Sequence, residues 1–165
     1  MGLDVYGLSR IFENKDKDLL YERTWTLCSS GFPQSEGFKE HGSYRASDSF
    51  HFRAGSYSSY NTFRSILCET VTGNSYSFIS DEISKDMKLL HSIPFAYLLF
   101  FSDCEGYIGT EYCKKLVKEF EKYGQSIRDS EKFKVGSSPT IHTNTLDDFE
   151  KCFQYGSKDG AVIFS

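Results

Sequence analysis

Polar and apolar residues alternate from the start of the chain. Leu3 and Val5 fall on one side and Asp4 and Tyr6 on the other, a period of two that predicts an opening strand over 3–8. The stretch 23–28, containing Thr24-Trp25-Thr26-Leu27, is rich in β-prone residues and predicts a second strand. Residues 50–54 alternate again, with Phe50, Phe52 and Ala54 on one face and His51 and Arg53 on the other. At Gly55 that pattern gives way to hydroxyl and aromatic residues. It resumes at helical spacing, with Tyr60, Phe63, Leu67 and Val71 on one stripe. Ser58 or Ser59 is placed to cap this helix, and Gly73-Asn74 to end it. A shorter helix is expected over 80–91, with Ile83, Met87 and Leu90 inward.

Residues 95–101, directly after Pro94, are apolar without interruption and of strand length. Continuous apolarity implies cover on both faces, so this run is the expected central strand. The clearest helix spans 110–123, with Cys113, Leu116, Val117 and Phe120 buried, Lys and Glu outside, and Gly124 as its stop. A helix capped by Thr145 carries Leu146, Phe149, Cys152 and Phe153 as far as Gly156, and 161–164 forms a terminal strand. Between the second strand and the one over 50–54, residues 29–49 hold Gly31, Pro33, Gly37 and Gly42 among polar residues, a length associated with lids and ligand arms. This order predicts an α+β (or α/β) fold: a single domain over 1–165, with a central mixed sheet backed by three or four helices.

Composition narrows the function classes. At 165 residues the chain is long enough to bury a core without staples. No apolar run approaches the ~20 residues of a membrane helix. The first residues lack a basic region followed by an apolar one, so a cytoplasmic location is expected. Cys28, Cys68, Cys104, Cys113 and Cys152 show no paired spacing and read as reduced thiols, and His41, His51, His91 and His142 show no metal-ligand spacing. No metal or cofactor is therefore expected. A net charge of −4 argues against broad binding to duplex nucleic acid but leaves room for a local basic pocket. The 15 Phe and 11 Tyr serve either a thick core or, for tyrosine, a rigid amphipathic binding surface.

The candidate chemistry gathers where the third predicted strand meets its helix. A strand that ends in a small, hydroxyl-rich turn leaves backbone N–H groups without partners at the helix start. Phosphate would sit near Ser56, Ser58 and Ser59, with Arg53 and Arg64 as counter-charges. A base would stack on Tyr57 or Tyr60, and Asn61 would read a base edge or hold the turn. The same residues also fit an ordinary capped helix with solvated arginines. A second strand-to-helix corner follows 95–101. If the two strands lie parallel and adjacent, both corners open on one crevice. There Asp103 and Glu105 would bind Mg²⁺, accept ribose hydroxyls or activate water, or else pair with Arg53 or Arg64 and lock the corners together. Cys104 sits among acidic neighbours, which raise a thiol pKa and weaken a nucleophile. No catalytic constellation is assembled.

Three blocks carry a resemblance: Met1-Gly2-Leu3-Asp4, Phe52-Arg-Ala-Gly-Ser-Tyr-Ser-Ser-Tyr-Asn61 and Phe101-Ser-Asp-Cys-Glu-Gly-Tyr-Ile-Gly109. Together they look like a family of small phage and prophage proteins of unassigned function. The resemblance implies a phage-borne protein in the host cytoplasm. By analogy with small phage proteins that counter host defence, it implies a sponge that captures a nucleotide immune signal without cleaving it. Two other classes stand beside this one: a nucleotide-acting hydrolase or transferase using Asp103 and Glu105, and a protein that blocks a host protein by surface contact. The expected partners are a small phosphorylated nucleotide and, in a homo-oligomer, further copies of the chain, with no duplex nucleic acid and no membrane.

Overall fold

A computed structural model of the chain describes residues 2–15, 24–28, 33–102, 104–134 and 139–165, and the side chains of all of these except 139–142. The opening alternation falls in the first half of β1 (Gly2–Glu13), which buries Leu3 and Val5 and leaves Asp4 and Tyr6 half-buried on the opposite face. Strand β1 pairs along its length with β3 (Gly42–Ser56), which in turn pairs with the short β2 (Trp25–Leu27). On the other side of β1 lies β5 (Ala161–Phe164), followed by β4 (Gly106–Gly109). The order is β2-β3-β1-β5-β4 and every pairing is antiparallel. The fold is α+β, with an antiparallel sheet where a mixed one was expected.

The central strand was expected over 95–101. Instead, this segment holds a single helical turn, α3 (Ala96–Leu99), entered through Phe95 in the left-handed region at φ 59°. Residues 95–99 are buried on every side, so their apolarity carried no period to separate turn from strand. The strand buried on both faces is β5, whose Ala161-Val162-Ile163-Phe164 is inaccessible throughout.

Three helices cover one face of the sheet: α1 (Tyr57–Thr72), α4 (Thr110–Asp129) and α6 (Pro139–Gly156). Helix α2 (Tyr76–Lys85), a 3-10 turn (Met87–His91) and α5 (Glu131–Lys134) complete the layer. The expected helix over 80–91 is thus split, and Met87 is exposed while Ile83 and Leu90 are buried. Helix α4 runs through Gly124, because Arg128 packs its guanidinium over the missing side chain and pairs with Asp147 and Glu150 of α6. Helix α6 begins at Pro139, a residue suited to a first helical position, and Thr145 lies buried within it rather than capping it. Gly7 lets α6 lie directly on β1, since a Cβ there would meet the backbone of Cys152 at 2.7 Å. Between helices and sheet, Phe52, Phe63, Phe149 and Phe164 stack edge-on and face-on, which gives the phenylalanine count a core role.

A smaller apolar cluster, with Leu8, Leu27, Tyr44, Tyr107 and Ile163, lies on the other face. Residues 33–41 cover it: Ser35 donates to the Tyr107 carbonyl, the Gly109 N–H donates to the Gln34 carbonyl, and Phe38 packs on both Tyr44 and Tyr107. Part of the expected lid therefore works as structural cover, and 42–49 belongs to β3. Residues 29–32 of that stretch lie outside the described residues. Among the described residues, no helix is long and apolar enough to cross a membrane.

Candidate functional site

Strand β3 delivers its residues alternately to the two sheet faces. Phe52 and Ala54 enter the core, while His51 and Arg53 stay exposed on the opposite face. Gly55, at φ 94°, turns the chain into α1. The helix cap is Ser56, two or three residues before Ser58 and Ser59, and its Oγ accepts from the Ser59 N–H at 3.1 Å. The Ser58 and Ser59 hydroxyls each lie 2.9 Å from that same Oγ. The helix start is thus ringed by three exposed hydroxyls, and the Ser59 N–H is already taken by the cap. The Arg53 guanidinium lies against Gly2, the register partner of Ser56, at the end of β3 that leads into this helix. Its acidic partner is Asp4 at 3.9 Å, the outer limit of an ion pair, and its side chain remains 61% exposed.

The other predicted members separate. Tyr60 is fully buried against Phe63 and Phe149, so no base can reach its ring. Tyr57 is half-buried against the main core, and Asn61 is exposed but accepts from Arg64. Arg64 is buried and turned away from the helix start. It donates to the carbonyls of Leu99 and Phe101 at 3.3 and 3.0 Å, and its guanidinium lies over the rings of Tyr60 and Tyr76. It acts as a core clamp rather than a phosphate counter-charge, because its donors are aimed at the carbonyls of Leu99, which ends α3 and also accepts from the Tyr76 hydroxyl, and of Phe101.

The two corners do not form the expected crevice. β3 and β4 are separated by β1 and β5 and run in opposite directions. The register nonetheless sets the start of β4 level with the end of β3, since Gly106 pairs with Phe164, Phe164 with Val5, and Val5 with Phe52. Arg64 is what joins the corners, through carbonyls and not carboxylates. Asp103 lies outside the described residues. Glu105 is exposed, and its N–H, like that of Cys104, donates to Ser102 Oγ in the turn before β4. Among the described residues, no group of three or more His, Cys, Asp or Glu side chains is placed to hold a metal.

A groove lies beside Arg53 on the same sheet face, and sequence reading did not anticipate it. Cross-strand register aligns His51, Tyr6 and Ile163 in one row, and the curl of the sheet brings β2 over them. The groove, about 540 Å³, is lined by Tyr6, His51, Ile163 and Trp25, with Thr24 and Thr26 at its mouth. Tyr6 and His51 stack with centroids 4.5 Å apart and planes 25° apart. His51 Nε2 lies 3.2 Å from Asp4 Oδ1, so one carboxylate orients both His51 and Arg53. The shared face of His51 and Arg53 was readable from alternation. The convergence of Tyr6 and Trp25 was not, because the three rings come from three different strands.

No protein-family model matches the chain, and no curated protein or solved structure is significantly similar to it.

Proposed function

We propose that this protein binds a small phosphorylated nucleotide and holds it without cleaving it, as a phage-type anti-defence sponge would in the host cytoplasm. The observation that carries the reading is Arg53: an exposed, loosely paired guanidinium at the end of β3 that leads into the hydroxyl-ringed start of α1, on the sheet face that also holds an aromatic groove. A phosphate placed there gains the Arg53 charge, the serine hydroxyls and the positive end of the α1 dipole together, which is the usual chemistry of anion capture at a helix start. Ser56, Ser58, Ser59 and Arg53 form this anion site. Tyr60 and Arg64 support it from the core.

Sequestration is favoured over turnover by the residues around the anion. Hydrolysis needs a base or a metal-bound water aligned on the phosphorus. The acids described near this end, Asp4 and Glu105, are respectively committed to His51 and Arg53 and exposed on a separate turn.

The test is incubation with a panel of cyclic and linear nucleotides, removal of free ligand, denaturation and chromatography. Recovery of an intact nucleotide, lost with Arg53→Ala, is the expected result. Recovery of cleaved products would move the assignment to a hydrolase. Failure to retain any nucleotide would leave blockage of a host protein as the function.

A further inference from the structure

We infer that the groove formed by Tyr6, His51 and Trp25 is the ring-binding half of the site, taking a planar heteroaromatic group of the nucleobase type. The inference rests on the nucleotide reading above and assigns its second half to residues outside the anion site.

The groove's volume, about 540 Å³, falls within the range of small-molecule sites and exceeds what a single base needs. Its walls combine the rings of Tyr6, His51 and Trp25 and the Ile163 side chain with polar groups from Thr24, Thr26 and Ser165, so a planar ring can stack while its edge is hydrogen-bonded. Tyr6 and His51 already form a two-ring stack, and the exposed imidazole, tethered through Nε2 to Asp4, cannot swing away from it freely. A third ring entering the groove extends this stack at little entropic cost, because the platform is already ordered. Ile163, almost fully buried, closes the floor, and Trp25 from β2 adds a second indole-sized surface. The Thr24 and Thr26 hydroxyls at the mouth supply both donors and acceptors for a base edge.

The anion site and the groove are connected by short steps in the register. His51 pairs with Tyr6 and Arg53 with Asp4, two residues further along both strands. Two residues of strand span roughly 7 Å, about the distance from a base to its 5′-phosphate across a ribose. A nucleotide therefore fits lengthwise, ring on His51 and Tyr6, phosphate at Arg53 and the serine ring.

Trp25 is the chain's single tryptophan, so its fluorescence reports on the groove alone. Wild-type protein is titrated with AMP, GMP, UMP, cyclic di-AMP and ribose 5-phosphate, with retention measured in parallel by equilibrium dialysis. The expected result is saturable quenching by at least one base-bearing probe and none by ribose 5-phosphate. His51→Ala and Tyr6→Leu should each weaken that binding roughly tenfold, the size of one lost stacking partner. Thermal melts of both variants establish that they are folded. Retention of a nucleotide with unchanged Trp25 emission and unchanged affinity in His51→Ala would overturn the groove assignment while leaving the nucleotide reading intact. No retention of any probe by dialysis would overturn both.

Discussion

Glu119 on α4 offers a quantitative test of the packing. Its Oε2 accepts the Phe95 N–H at 2.8 Å and so holds the chain at the point where it enters α3 in the left-handed region. Burial pushes its carboxyl from the ordinary 4.5 up to about 7, against the smaller downward pull of that hydrogen bond. The folded protein therefore keeps a proton on Glu119 that the unfolded chain has released. The stabilisation from this proton is complete below about pH 4.5 and is lost as pH rises through about 7. The rise from 4.5 to about 7, at roughly 1.4 kcal/mol per pH unit, amounts to on the order of 3 kcal/mol. Glu119 borders an open cleft with His91, Pro94, Lys118 and Lys122, and solvent screening there brings the measurable part down to about 2 kcal/mol. Glu119→Gln keeps an acceptor for the Phe95 N–H and never ionises. In urea denaturation near pH 4 the variant and wild type should match, and at pH 8 the variant should be more stable by about 2 kcal/mol. Other titrating groups cancel in the difference between the two proteins. An offset that is the same at both pH values would refute the buried-carboxylate argument.

Two further outcomes concern the core. Arg64→Ala should cost about 3 kcal/mol in urea denaturation, since it removes charged donors from two buried carbonyls, and the loss should leave nucleotide retention per folded molecule unchanged; a cost below ~0.5 kcal/mol would mean that the clamp carries no load. Cys104 is exposed, whereas Cys113 and Cys152 are buried and burial pushes both thiols far up, so a thiol reagent on native protein should label Cys104 readily and Cys113 and Cys152 only on unfolding. Mass mapping of the labelled sites reads this directly, and rapid labelling of Cys152 would contradict its packing beneath Gly7.

The parts of the fold that were legible in the sequence are those with one buried and one open face. Leu3 and Val5, Phe52 and Ala54, and the Tyr60-Phe63-Leu67 stripe each kept a clean period because water on one side enforced it. Where that asymmetry was missing, the reading failed. Residues 95–99 are enclosed completely, and periodicity could not separate a helical turn from a strand. The first half of β3 failed for the opposite reason: of its residues only Tyr44 is buried and only Ala46 packs beside it on the smaller cluster, while Ser43, Ser47 and Asp48 are polar, so little apolar pattern marks them as strand. Gly124 reads as a stop from local propensity, and only the packing of Arg128 shows why the helix continues through it. The candidate site divides along the same line. Arg53 and the serine cap follow from local chemistry, whereas the fate of Arg64 was decided by carbonyls more than thirty residues away.

The central claim, capture of an intact nucleotide, is tested most directly by native mass spectrometry of the protein purified from cells in which a nucleotide-based immune signal is being made. The expected spectrum shows a mass increment equal to one uncleaved phosphorylated nucleotide, present in wild type and lost in Arg53→Ala. A spectrum of bare protein from signalling cells, in wild type and variant alike, would contradict it.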